Sequence, residues 1–540
     1  MDLSLTAAQP IARRRLGARW PLLLLLLLGA LTTAPYVYAA WTTPADRVYT
    51  GLMLDAPDTL QYFSWLRDHR AALLISNRMT AQPNEPALFN LLWLLLAQVQ
   101  RLTGWSNAAI FQLLRLVGGV SFAAALWWFY GLIAGNTRAR GWAWALAMCG
   151  GGLGVIWVLR KYLLGREIDH PLDVYVAEPN TVLSLLGYPH FLVAGALIVA
   201  TLGAAFTAAR NGWRWWLVAA GCALLLALQH AYDLLTVYAT LGGWIALLAL
   251  KRRAIPWAIV RGALAVGLIS FPPAGYFAWL TSRDPLWRAV LSQFSNADVW
   301  TPSPPHLLLL LGLPLILTIV CWDWLPQRGW LAERSDGELL VRVWALSGLA
   351  LIYLPVSFQI HLLNPWQVPL ALLAVWGVER RIQPWAERRR WAAARWLLPL
   401  TLLLALPTNL YLISWRFVEL ARHDQPYFLS LDQAAALDRL AATATRQDVV
   451  LSELALGQFV AAQTDARAVL AHWAQTVAFY QTSDDVERAL DPASPSATRQ
   501  ALLATYGVSY VLAPRPLNDP ALSQVWTTPT LTLYMVRRGH

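Results

Sequence analysis

The sequence predicts an α-helical polytopic membrane protein that ends in a small α/β domain, and three observations predict it. The 540 residues are 57% hydrophobic and only 14% charged, whereas a soluble globular chain averages about 25% charged. Apolar runs recur along the first 416 residues, and about eleven spans of roughly 20 residues would use about 220 positions. From residue 417 onward the composition shifts to Asp, Gln and Thr within alternating helical and strand patterns. Disorder, a nucleic-acid-binding module and an ordinary soluble enzyme all fit such a chain poorly.

At the N-terminus Arg13, Arg14, Arg15 and Arg19 precede the run PLLLLLLLGALTTAPYVYAA at 21–40. Val37-Tyr38-Ala39 suits a signal-peptide cleavage site, but the long apolar runs that follow favour an uncleaved anchor. A polar stretch, 41–85, leads to a short apolar segment, 86–103, closed by Gly104. That segment is short for a span and suits a helix lying in the interface. Further apolar runs occupy about 106–134, 141–160, 181–208, 214–231, 233–250, 254–282, 304–325, 338–358, 366–379 and 396–416. The chain thus divides into a tail and first anchor (1–40), a first outer loop with interfacial helices (41–105), a multi-span region (106–416) and an α/β domain (417–540). In the last part DQAAALDRLAATA reads as an amphipathic helix and DVVLSE as a strand. ATRQALLATYG followed by VSYVLAP reads as helix then strand, and LTLYMVRR as a final strand.

Charge sets the orientation. The net charge is +11, but lysine occurs only at 161 and 251. With the N-terminus inside, Arg138/Arg140, Arg210/Arg214, Lys251/Arg252/Arg253, Arg328/Arg334 and the Arg380–Arg395 cluster all fall on the cytoplasmic face. That is the positive-inside pattern, so the basic excess implies no nucleic-acid partner. An odd number of spans then carries the C-terminal domain outside. Cys149, Cys222 and Cys321 each lie within an apolar run and offer neither a disulfide nor a metal cluster. GGGLG at 150–154 lies inside a span and reads as helix packing.

Ionisable groups at membrane depth are costly, so where they collect is informative. On this topology they gather at one height on the outer face. The first loop holds Asp55, Asp58, Tyr62, Asp68, His69, Arg78 and Glu85. The second holds Arg160, Lys161, Arg166, Glu167, Asp169, His170, Asp173 and Glu178, and Tyr188-Pro189-His190 follows. Gln229, His230 and Asp233 mark one outer hairpin, and Gln359, His361 and Asn364 another turn. A cavity opening outward is the economical explanation. Each residue also has a plainer reading. Asp58 could cap the helix LQYFSWLRDH, Asp55 reads as a loop residue, and His230 with Asp233 could cap a turn. Glu178 could serve a helix dipole, and His190 could be a satisfied buried imidazole. No pair has zinc-ligand spacing, and there is no Walker loop, GxSxG elbow or dinucleotide-binding turn.

Asp58-Thr-Leu-Gln-Tyr62 after a hydrophobic anchor resembles the first loop of GT-C membrane glycosyltransferases. PALFNLLWLLLAQVQRLTGWSNAAIFQLLRLVGGV, with Arg115 near the start of its span, is similar to the segment that follows in the protein O-mannosyltransferase and aminoarabinose transferase branch. DVYVAEPNTVLSLLGYPHFLVAG, LQHAYDLLTVY and FQIHLLNPWQVPLALLA look like pieces of an uncharacterised bacterial GT-C-like group, as do GQFVAAQTDARAVLAHWAQT and YGVSYVLAP. The sequence departs from that pattern at Thr59, where the family has Glu after Asp, and in lacking arginines after Phe358-Gln359.

The resemblance implies an inner-membrane enzyme that transfers a sugar from a polyprenyl-phosphate carrier to an acceptor glycan, lipid or protein on the outer face. Asp58 would be the general base of an inverting reaction. Tyr62, Arg78, Glu85, Lys161, Glu178, His190, His230, Asp233 and Gln359 would bind substrate. Arg78, Arg160, Lys161, Arg166 and Arg283 are the candidates to neutralise the leaving phosphate. No cofactor is expected, and a divalent metal is left open. Independently, nucleotide sugars are made in the cytoplasm while every candidate group faces outward, so a lipid carrier must bring the sugar across. A non-catalytic assembly protein and a lipid or solute transporter remain alternative readings.

Overall fold

A computed structural model describes residues 19–135, 137–165, 172–293, 300–324 and 329–537. Arg13–Arg15, Arg166, Glu167, Asp169, His170 and Arg328, singled out above, lie outside these residues.

Each apolar run folds as helix, in one piece or two. Six helices are long and apolar enough to cross a membrane: Arg19–Trp41, Asn107–Ile133, Pro189–Asn211, Ala231–Arg252, Trp257–Arg283 and Ala392–Leu420. A bent pair, Arg138–Cys149 and Gly154–Leu164, makes a seventh if counted as one span. The expected eleven are therefore not reached by this measure. The reason is length: Arg214–Ala227 has 14 residues and Gln367–Gly377 has 11, which at about 1.5 Å per residue falls short of a hydrocarbon core of about 30 Å.

GGGLG marks the bend in that pair rather than the middle of a helix. A Cβ on Gly152 would meet the Leu309 and Leu310 carbonyl oxygens at 2.4 Å, and one on Gly154 would overlap the Asp173 carboxylate. The close approach lets the Gly154 N–H donate to Asp173 Oδ2 at 2.8 Å, so the second loop is tied to the start of the second half-helix. Arg115, buried among the helices, is satisfied by carbonyls: Leu185 at 2.6 Å and Thr32 at 2.8 Å, with Tyr36 beneath its guanidinium at 4.3 Å. It fastens three helices together and lies away from the cavity described below.

The short helix expected at 86–103 is Leu91–Thr103. The Asn90 side chain accepts from the Leu92 and Trp93 N–H groups at its start, and Gly104 ends it at φ 69°.

Strand β1 (Arg47–Tyr49) of the first loop pairs antiparallel with β2 (Phe428–Ser430). The C-terminal domain is a five-stranded sheet built from β3 (Val449–Leu451), β4 (Arg467–Ala468), β5 (Tyr510–Ala513), β6 (Leu522–Thr527) and β7 (Thr532–Val536), in the order β4-β3-β5-β7-β6. The β4, β3 and β5 strands are parallel, and β7 and β6 complete the sheet antiparallel. DVVLSE, VSYVLAP and LTLYMVRR supply β3, β5 and β7. DQAAALDRLAATA forms most of the helix Leu431–Thr443, entered by a Ser430/Gln433 capping box.

This sheet does not stand apart from the first loop. Ala468 N–H donates to the Arg78 carbonyl at 2.9 Å, and Thr80 bridges Leu470 antiparallel, so residues 78–80 run along its β4 edge. The helix Leu454–Gln463 packs on the first-loop helix Ala56–His69.

Candidate active site

The first-loop helix Ala56–His69 begins at Asp55, whose backbone is left-handed (φ 44°, ψ 64°). Asp tolerates that region better than most residues, and such positions cluster at functional sites. The turn brings Asp55 and Asp58, with Tyr62 one helical turn on, to the wall of a cavity of about 400 Å³. Glu178, Tyr188 and His190 line it from the second loop and the break between Thr181–Gly187 and Pro189–Asn211. His230, Tyr232 and His361 come from two more helix-end turns, and Trp473 reaches over from the C-terminal domain. Trp93 stacks on Tyr62 at 4.6 Å and forms an aromatic floor.

The polar groups pair in a definite way. Asp55 shares hydrogen bonds with Asp58 and with Tyr188. Burial and the adjacent Asp58 charge push Asp55 well above the usual carboxylate range, so it holds a proton when Asp58 does not. Burial opposes ionisation of Asp58 too, but the bond from His472, the nearby imidazoles and the bond from Asp55 hold its carboxyl below the usual value. His472 Nε2 lies 2.9 Å from Asp58 Oδ1. Across the cavity His361 Nδ1 bonds to Glu178 Oε1. Burial alone would lower His361, but the Glu178 bond and charge, with Asp233 and Asp58 beyond, raise it above the ordinary imidazole value. His230 Nδ1 bonds to Asp233 at 2.8 Å and its Nε2 to the Tyr232 hydroxyl at 2.8 Å. The Tyr62 hydroxyl meets His190 Nε2 at 3.4 Å.

Of the residues expected from sequence, the cavity brings together Asp58, Tyr62, Glu178, His190 and His230. Asp233 sits behind it, fully buried, accepting from His230 and from Asn364 at 2.9 Å. Gln359 is a turn brace, accepting from Thr301 N–H at 3.1 Å and donating to the Leu354 carbonyl at 2.9 Å. Arg78 is 3% exposed, ion-paired to Asp68 and bonded to the Thr464 and Asp465 carbonyls. Its place is the seam with the C-terminal domain. Glu85 is exposed, Lys161 is half-buried on the helix Gly154–Leu164, and neither lines the cavity. Arg160 lies over the Trp157 ring, and Arg283 is exposed at the end of the helix Trp257–Arg283.

Asp55, read from sequence as a loop residue, is a cavity residue. The signal for it was present: two carboxylates three apart at a helix start lie on one face. His472 and Trp473 had no such signal, because more than 400 residues separate them from Asp58. Among the described residues the cavity wall carries neither Arg nor Lys, and its basic groups are His190, His230 and His361. Nor, among those residues, do three carboxylate, imidazole or thiol groups converge closely enough to hold a metal ion.

No protein-family model and no curated protein matches the chain. Solved structures do. The oligosaccharyltransferase of Archaeoglobus fulgidus, solved with a tethered acceptor peptide containing the NVT sequon, is 11% identical with a TM-score of 0.54, over 92% of this chain and 69% of its own. ArnT from Cupriavidus metallidurans, solved with undecaprenyl phosphate, is 12% identical with a TM-score of 0.52, over 96% and 98%. The mycobacterial arabinofuranosyltransferase AftD is 15% identical with a TM-score of 0.54, over 97% of this chain and 40% of its own. All three are GT-C glycosyltransferases. The chain has the GT-C fold. The first-loop carboxylates and the C-terminal domain are thus read against a membrane architecture that these glycosyltransferases share.

Proposed function

We propose that this chain is a membrane glycosyltransferase that moves a sugar from a polyprenyl-phosphate donor to a hydroxyl acceptor outside the cytoplasm, with inversion. The observation that carries the reading is the cavity itself. It sets the paired carboxyls of Asp55 and Asp58 on one wall and the imidazoles of His190, His230 and His361 on the other, at the ends of apolar helices. The solved neighbours support a lipid-linked donor: ArnT was captured with undecaprenyl phosphate, and the archaeal enzyme with a dolichol phosphate.

In this reading Asp58 accepts the proton of the acceptor hydroxyl while that oxygen bonds to the anomeric carbon from the face opposite the phosphate. The bond from the anomeric carbon to the phosphate oxygen breaks, and its electron pair leaves on polyprenyl phosphate. The sugar passes through an oxocarbenium-like state, which the Asp58 charge also stabilises. His361, whose protonated form the Glu178 carboxylate favours, takes the place of arginines against the departing phosphate. Tyr62 on Trp93 offers the sugar an apolar platform. In this reading the polyprenyl tail lies along the apolar helices, with the N-terminus inside and the C-terminal domain outside. The eleven-run topology belongs to this proposal, with the shorter helices completing spans beside longer ones.

The test uses the protein in lipid nanodiscs with a panel of polyprenyl-phosphate pentoses and hexoses, following release of free polyprenyl phosphate by mass spectrometry. Wild type should release it from one donor. Asp58→Asn should fold normally and release none, a fall of at least about a hundredfold. Full turnover by that variant would remove Asp58 from the base role. Release by neither protein, together with movement of intact donor between leaflets, would favour transport instead.

A further inference from the structure

We propose that His472 of the C-terminal domain is a positioning residue for this reaction, holding one oxygen of Asp58 so that the other faces the cavity as the proton acceptor. The proposal rests on Asp58 being the base. Its own support is geometric. His472 is 1% exposed, whereas the Asp58 side chain is 37% exposed toward the cavity. The backbone N–H of Ala474 donates to His472 Nδ1 at 3.0 Å. Nδ1 therefore carries a lone pair, and the ring hydrogen sits on Nε2, where it points at Asp58 Oδ1 at 2.9 Å. His472 thus meets the carboxylate as a hydrogen-bond donor through Nε2. That bond fixes one carboxylate oxygen and favours its charged form.

The segment that carries His472 is rigid and anchored to the first loop. Thr476 Oγ1 accepts from the Ala471 and His472 N–H groups at 3.1 Å each and donates to the Met79 carbonyl at 2.7 Å. Asn77 Nδ2 donates to the Gln475 carbonyl at 3.0 Å. The imidazole is consequently placed by the same strip of backbone, 77–80, that extends the sheet. A carboxylate held at one oxygen cannot spin about its Cβ–Cγ bond, and a misplaced base loses rate steeply. The C-terminal domain then does more than cover the cavity, because it completes the base.

Other titratable groups face Asp58: Asp55 and Tyr62 on its own element, Tyr188 and His190 across the cavity, and His361 further off. The test therefore changes only His472. Full-length protein in nanodiscs is treated with a hydrophobic carbodiimide, which attacks protonated carboxyls. Labelling of Asp58 is read against pH by peptide mass spectrometry, with fragmentation separating it from Asp55. His472→Ala should move the Asp58 midpoint up by about one unit, because the hydrogen bond that favours the charged form is gone. His472→Gln, which can present an N–H near the same point, should recover most of the shift. Thermal unfolding of each variant checks that the fold holds.

On the donor that wild type uses, His472→Ala should lower turnover about tenfold to a hundredfold with donor affinity unchanged. An unmoved midpoint in a folded His472→Ala overturns the proposal whether or not any donor is turned over. An inactive Asp58→Asn beside a fully active His472→Ala overturns it alone and leaves the base reading standing. A fully active Asp58→Asn removes both.

Discussion

At the scale of single residues, the two carboxylates at the start of one helix are chemically unlike. Asp55 is held up by burial and by its neighbour's charge, and Asp58 is held down by its donors. One proton is thus shared between them, and the pair titrates as a unit. Replacing Asp55 by Asn puts a neutral side chain where burial and the Asp58 charge already oppose ionisation. Turnover should fall by less than about tenfold in that variant, against near-abolition in Asp58→Asn. If polyprenyl-phosphate release shows the reverse order, the base is Asp55. On the opposite wall, Glu178 keeps His361 protonated to higher pH than a free imidazole. A raised imidazole pKa means that the cation, and any phosphate binding it supports, is present below the folded pKa and fades as pH rises through it. Glu178→Gln should start that fading at lower pH, seen as an alkaline limb of polyprenyl-phosphate binding displaced toward acid. An unchanged limb would take His361 out of phosphate binding.

At the scale of elements, the strip 77–80 is the hinge of the design. It serves as an edge of the β4-β3-β5-β7-β6 sheet, anchors the His472 segment and buries Arg78 against Asp68. Arg78→Ala strands the buried Asp68 carboxylate, which among the described residues retains only the half-exposed Arg446 at 3.4 Å. The expected cost is about 3 kcal/mol. It should appear as a lower unfolding temperature and as faster proteolysis within 77–81, with the membrane helices intact. An unchanged proteolysis pattern would mean that the strip is held by its backbone bonds alone. Elements with a strong local signal were legible beforehand: Leu91–Thr103 from its apolar run and closing glycine, Leu431–Thr443 from its amphipathic pattern, and β3, β5 and β7 from short apolar strands. The β1–β2 pair was not, because three-residue strands about 380 residues apart carry no local periodicity. GGGLG, read as helix packing inside a span, does admit the close approach of a neighbouring helix, but it also marks a bend between two half-helices. Glycines that allow close approach and glycines that end a helix look alike until the neighbour is seen, here the Leu309 and Leu310 carbonyls.

At the scale of the whole molecule, composition and the recurrence of apolar runs were enough to predict a helical membrane chain with an α/β end. Burial of that much apolar surface admits few other solutions. Hydropathy did less well at counting spans, because it does not register where a helix stops short. The polar residues gathered at one height pointed to the cavity, and Asp58, Tyr62, Glu178, His190 and His230 do meet there. The arginines offered for phosphate did not follow, since a cation near the right height can be taken up by any local partner, as Arg78 is by Asp68 and Arg160 by Trp157. What the sequence determined by itself is what depends on neighbours a few residues away: helices, caps, short strands and the membrane class. Only the tertiary structure decided which charges pair, which face the cavity, and that a histidine from the C-terminal domain closes on Asp58. Those outcomes depend on contacts between residues hundreds of positions apart, whose energies no local pattern records.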